Sequence, residues 1–286
     1  MEDHLDTRAP PESTSHGFRS TRAESTTTEP FDPAKPRLGR RESEPHSNEV
    51  NYLHDILETN FPQDRTMWDL HHYFNLDESE LDIQFDITFF RDFSIPYLLS
   101  SYKAADFGNR LPTMAINVLS KRTWQADIGE HVDACRALKI PLYVVFSPYY
   151  AARQSYTPPF LRIYQLTSIG DYTVRELRQT TMQEGGTINI DNVLDAGDLV
   201  PFKFGLMELQ QKYEKGKPVY RLILIDREEL RVLPTRADQE KERADQEKER
   251  ADQEKECADQ EKERGDQEKE RADAAEARIH ELEDTV

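Results

Sequence analysis

Two cysteines in 286 residues, Cys135 and Cys257, are too few and too far apart for a disulfide framework or a zinc-binding spacing. A reducing, cytoplasmic compartment is the expectation. The N-terminus, MEDHLDTRAPPESTSHG, lacks an apolar h-region and reads as no secretory signal. No run approaches the length of a membrane-spanning helix. Apolar residues are scarce, at 36%, and a basic excess is missing, the formal net charge being −18. Both deficits concentrate at the ends. From Arg236 onward 20 acids face 11 Lys or Arg, which accounts for −9 of the total. An acidic balance argues against a broad nonspecific grip on nucleic acid, although a local basic groove remains compatible with it.

The ends divide the chain. Residues 1–48 are rich in Ser, Thr, Pro, Arg and Glu and cannot bury enough apolar area to offset chain entropy, so disorder is expected there. Residues 49–235 are long enough for one core. Residues 236–286 repeat every seven residues, RADQEKE three times and then CADQEKE and RGDQEKE, a composition that favours helix. Only one small apolar residue recurs per heptad, Ala237, Ala244, Ala251 and Ala258. A tight coiled coil needs two, usually larger. The expectation is a long, solvated, charged helix that associates weakly at most.

The middle is built around residues 82–150. Ile83–Phe90, Met114–Leu119 and Leu142–Phe146 are short runs rich in Ile, Val, Phe and Tyr, and predict strands. Between the last two, Ile128, Val132, Cys135 and Leu138 share one helical face over 127–138. Strand, strand, helix, strand predicts an α/β fold, a central mixed β-sheet flanked by helices. Around it, Val50–Phe61 reads as a helix, Trp68–Phe74 as a strand paired with 83–90 in preference to a short helix, and 160–166 with 171–177 as an edge hairpin. A short strand is expected at 185–190, a short helix at 204–213, and a strand at 220–226 with 230–233 beside it. His71 and His72, adjacent on a strand, point to opposite faces and cannot share one ion. Asp86 stands inside a strand, where a carboxylate needs a partner. Asp127 reads as a helix N-cap.

Phe85-Asp86, Asn117-Val118-Leu119-Ser120, Asp127 followed by His131 and Cys135, and Lys139-Ile140-Pro141-Leu142-Tyr143 occur in an order that resembles the Uma-two family, a restriction-endonuclease branch of the PD-(D/E)XK nuclease superfamily. FLRIYQL…GDYTV, PFKFGL, YRLILID and a charged helical repeat after the domain also look like that family, and the likeness spans 51–233. It implies a restriction-endonuclease-like sheet and metal-dependent hydrolysis of DNA. In that chemistry two carboxylates hold Mg²⁺, the metal activates a water, and a lysine steadies the developing charge. Carried over residue by residue, the first acid is Asp86, the second acid falls on Asn117, and the lysine falls on His131. Asp86 and Asn117 are thus the implied metal positions, and Asp86, Asn117 and His131 the implied catalytic set. With two of three groups replaced, weakened or lost cleavage is expected. The alternative is a catalytically inactive DNA-binding or assembly module that uses the helical tail. Implied partners are DNA and a second copy of the chain, through the sheet or the tail.

Overall fold

A computed structural model describes residues 43–76, 79–152 and 154–283. Of the segment expected to be disordered, residues 1–42 lie outside the described residues. The first helix, α1, spans Glu44–Asn60 and so begins before the expected start of order at residue 49. It buries Val50, Leu53, Ile56 and Leu57 along one stripe.

The strands that follow are β1 (Arg65–Leu76), β2 (Ser79–Phe90), the two-residue β3 (Tyr102–Lys103) and β4 (Met114–Val118). Two helices come next, α2 (Trp124–Ile128) and α3 (Glu130–Leu138), then β5 (Leu142–Ser147), β6 (Phe160–Leu166) and β7 (Tyr172–Leu177). These seven strands form one mixed sheet in the order β3-β1-β2-β4-β5-β6-β7. β4 and β5 are parallel, with Asn117 opposite Val145, so α2 and α3 are the crossover between them. β1 pairs antiparallel with β2, as expected, and β6–β7 is the hairpin at one edge.

One helix was expected over 127–138, but two occur. Gly129, at φ −124° and ψ −90°, breaks the backbone between α2 and α3. Asp127 therefore lies inside α2 and is not an N-cap; Thr123 and Gly129 hold the cap positions.

The expected helix at 204–213 is a strand. β8 (Met182–Gln183), β9 (Phe202–Tyr213) and β10 (Lys217–Asp226) form a second, three-stranded sheet. The run LMELQQKY favours helix in isolation, but β9 pairs with β10 along nearly its whole length. Phe202, Phe204 and Leu206 are buried at the period of a strand. Tertiary pairing overrides local preference here. No strand forms at 185–190 either: Gly185 turns the chain at φ 79°, and the short strand β8 precedes it. Residue 232 makes one bridge to Ile225, the expected neighbour of β10.

Apolar side chains fall into two clusters. One joins α1, the second sheet and Ile116, Val118, Val144 and Phe146 of the first sheet. The other joins α3 to Ala115, Tyr143 and Val145 on the opposite face. Asn117 shares its parity with Ala115 and so faces α2 and α3.

The final helix, α4, runs Arg236–Glu283. At about 1.5 Å per residue it is roughly 70 Å long. Thr235 and Asp238 form a reciprocal cap at its start: the Asp238 amide donates to Thr235 Oγ1 at 3.1 Å, and Asp238 Oδ2 accepts from the Thr235 amide at 3.0 Å. Arg236 ties it to α1 through Asp55 and Glu58. Beyond this root its described side chains are almost all exposed. Among the described residues no helix is long and apolar enough to cross a membrane.

Candidate functional site

The ladder between β2 and β4 is short, running from Phe89 opposite Met114 to Ile87 opposite Ile116. Past that point side chains complete it. Asp86 Oδ2 accepts from the Val118 amide at 2.7 Å, and Asn117 Oδ1 accepts from the Asp86 amide at 3.3 Å. Asp86 also lies where β2 changes faces. Ile83 and Phe85 bury with the α3 cluster, whereas Ile87 and Phe89 bury with the α1 cluster. On the partner strand the Asp69 backbone is left-handed, φ 50°, and the ladder skips the Asp69–Asp86 position.

Asn117 is the centre of the network. Its Nδ2 donates to Asp127 Oδ1 at 2.8 Å and stands 3.0 Å from His131 Nδ1. A backbone N–H can only donate and a carboxylate can only accept, so the two neighbours fix the amide orientation. His131 Nδ1 also stands 3.2 Å from Asp127 Oδ1, so it accepts from Asn117 when unprotonated and donates to Asp127 when protonated. Asp127 Oδ2 takes a further bond from Thr123 Oγ1 at 2.8 Å, and Thr123 meets Ser120 Oγ at 2.9 Å. The Tyr143 hydroxyl donates to the Asp127 carbonyl at 2.8 Å. From the other side of the sheet end, buried His46 brings Nε2 to 3.3 Å from Asp86 Oδ2.

The three residues singled out in the sequence, Asp86, Asn117 and His131, are therefore joined, all through Asn117. Two others belong with them. Asp127 brings a carboxylate to Asn117, its side chain only 2% exposed, while His131 is 14% exposed. Its (i, i+4) spacing to His131 in sequence was the available signal. His46, forty residues before Asp86, carried none.

The donor set does not fit a hard divalent cation. Mg²⁺ takes oxygen ligands in a near-octahedral shell and favours charged carboxylates. Asn117 Oδ1 is engaged by the Asp86 amide, both Asp127 oxygens are engaged, and Asp86 Oδ2 is held by Val118 and His46. Among the described residues no group of three or more His, Cys, Asp or Glu is placed to hold a metal ion.

Cations and aromatic rings border this end of the sheet. Exposed Lys121 and Arg122 follow β4. Lys121 Nζ lies 5.9 Å from the Tyr213 ring, which packs on Tyr149, and Lys217 Nζ lies 4.5 Å from the Tyr150 ring. The β9–β10 turn thus overhangs the end of β5, an approach closed by the Tyr220 amide donating to the Pro148 carbonyl at 2.9 Å.

No protein-family model matches this chain. No curated protein matches it either. Among solved structures it is similar to "a putative nuclease belonging to DUF820 from Anabaena variabilis ATCC 29413", at 14% identity and a TM-score of 0.36, over 50% of this chain and 72% of that one.

Proposed function

We propose that this chain is a restriction-endonuclease-like protein whose cleavage site has become a closed hydrogen-bonded network, and that it binds DNA without hydrolysing it. One observation carries the reading. The amide of Asn117 occupies the position that the family resemblance gives to the second acid, and it stands within hydrogen-bond distance of Asp86, Asp127 and His131. A carboxylate there would face the Asp127 carboxylate where a hydrogen-bond donor now stands. Loss of cooperating groups costs a nuclease many orders of magnitude in rate.

Support for DNA as the partner comes from Lys121, Arg122 and Lys217 at the same sheet end, interleaved with Tyr149, Tyr150 and Tyr213. Cations contact phosphates, and each contact is salt-sensitive. A gel-shift assay on duplex DNA at two salt concentrations tests this, alongside a nuclease assay with Mg²⁺ and Mn²⁺. Binding that weakens in Lys121→Ala and Lys217→Ala, with no cleavage, is the expected result. Cleavage that disappears in Asp86→Ala would overturn the non-cleaving reading. Failure to bind DNA at low salt would turn the assignment to an assembly module built on α4.

A further inference from the structure

A cavity of about 450 Å³ opens between the first turn of α1 and the β9–β10 hairpin, lined among others by Ser43, Asn48, Glu49, Lys212, Tyr213 and Arg221. None of the residues of the Asp86 network lines it. Its volume falls in the range of small-ligand sites, roughly 300–1,000 Å³.

Arg221 is the unusual group in it. Its guanidinium carbon lies over the Tyr52 ring, 4.0 Å from the centroid. Its Nε is buried without a hydrogen-bond partner, and Glu49 Oε2 is 3.7 Å away, beyond hydrogen-bond reach. Glu49 instead spends Oε1 on the Leu222 amide, at 2.8 Å. Burial pushes the Glu49 carboxyl up to about 8, against the pull of Arg221, so near neutral pH it offsets the guanidinium only in part. Ser43 Oγ is a second buried polar atom without a partner on the same wall, and it does not cap α1. The uncapped first turn of a 17-residue helix adds positive potential. Lys212 contributes a second cation, shared with Glu208 at 3.1 Å. The opposing acids, Glu44 and Glu214, are exposed, where water screens them.

A planar cation with a side chain 27% exposed, at the wall of a ligand-sized hollow, suits a two-oxygen anion. We infer that this cavity is a binding site for a small ligand bearing an oxyanion, phosphate or carboxylate, gripped by the Arg221 fork and oriented by Ser43 and the start of α1. The inference does not depend on the DNA-binding reading, although Tyr213 borders both surfaces. His46 and Glu49 lie one turn apart on α1, so a ligand here would also stiffen the helix that touches Asp86.

The test is calorimetric titration of the full chain with inorganic phosphate and, separately, acetate, each against chloride at equal ionic strength. Saturable binding of phosphate, acetate or both is expected, and the preferred anion names the ligand's head group. Arg221→Gln is expected to weaken it about tenfold or more, as loss of a charge-assisted hydrogen bond does. Should Arg221→Gln fail to fold by circular dichroism, Arg221→Lys carries the test, since it keeps the charge and loses the fork. No saturable binding of either anion, or unchanged affinity in the Arg221 variant that folds, overturns the inference.

Discussion

The Asn117 amide donates to the Asp127 carboxylate across 2.8 Å, with both side chains buried. An amide suits this place without a change of protonation. It must accept from a backbone N–H on one side and donate to a carboxylate on the other. The amide on the strand and the acid in α2 are thus two halves of one arrangement.

Asn117→Asp should therefore destabilise the fold, because two carboxylates would meet where a hydrogen bond now stands. The expected loss is about 1–3 kcal/mol, read by urea denaturation near pH 7. A variant as stable as the parent would mean that the network does not hold these elements together.

Asn117→Glu combined with His131→Lys should raise Mg²⁺ affinity. The new lysine would stand one turn from Asp127 and offset the added charge, while Glu and Asp86 together would offer two acids. Calorimetry with Mg²⁺ should show binding by the double variant and none by the parent. Equal behaviour of the two would remove the basis for matching these positions to a metal site.

Stability should fall on the alkaline side because of Glu49. Its carboxyl is raised from 4.5 to about 8, mainly by burial, with Arg221 and the Leu222 amide pulling the other way. A raised acid contributes stability that is fully present below its unfolded value and is lost as pH rises through the folded one. The loss between pH 5 and 9 should be on the order of a few kcal/mol. Glu49→Gln, which still accepts from Leu222, should flatten that slope in denaturation curves.

His72 governs the acid side. Its Nδ1 stands 2.9 Å from the Leu70 carbonyl and must donate, so Nε2 accepts from the Thr88 hydroxyl at 3.0 Å. Burial lowers its pKa to about 4. A depressed base contributes stability present above pH 6.5 and lost as pH falls through 4. His72→Gln can both donate and accept there, and should show a shallower acid transition by tryptophan fluorescence.

The tail should behave as a single charged helix. Along it Arg243 and Glu247, Lys248 and Asp252, and their repeats alternate in sign at (i, i+4), each such pair adding about 0.2–0.5 kcal/mol. A peptide of residues 236–286 should be strongly helical at low salt, lose helicity in 1 M NaCl, and sediment as a monomer. A salt-resistant oligomer would contradict this.

Much of the sheet was legible from local pattern. Ile83–Phe90, Met114–Leu119 and Leu142–Phe146 are buried strands whose composition and length announce them, and the parallel β4–β5 pair follows from the helical period between them. The opposite facing of His71 and His72 followed from the strand period alone. The second sheet was not legible, because LMELQQKY carries helix-forming residues and becomes a strand only against β10. The place of Gly129, between two helices, was likewise hidden in a continuous apolar period.

By itself the sequence determined the charged tail and the strand identities around Asp86 and Asn117, because composition and short-range periodicity are properties of neighbours along the chain. Only the tertiary structure decided that Asp127 turns inward to complete the Asn117 network, that His46 reaches Asp86 and that Arg221 is left facing a cavity. Each of those depends on which buried polar group finds a partner across a fold, and hydrogen bonds of that kind join residues separated by ten to well over a hundred positions.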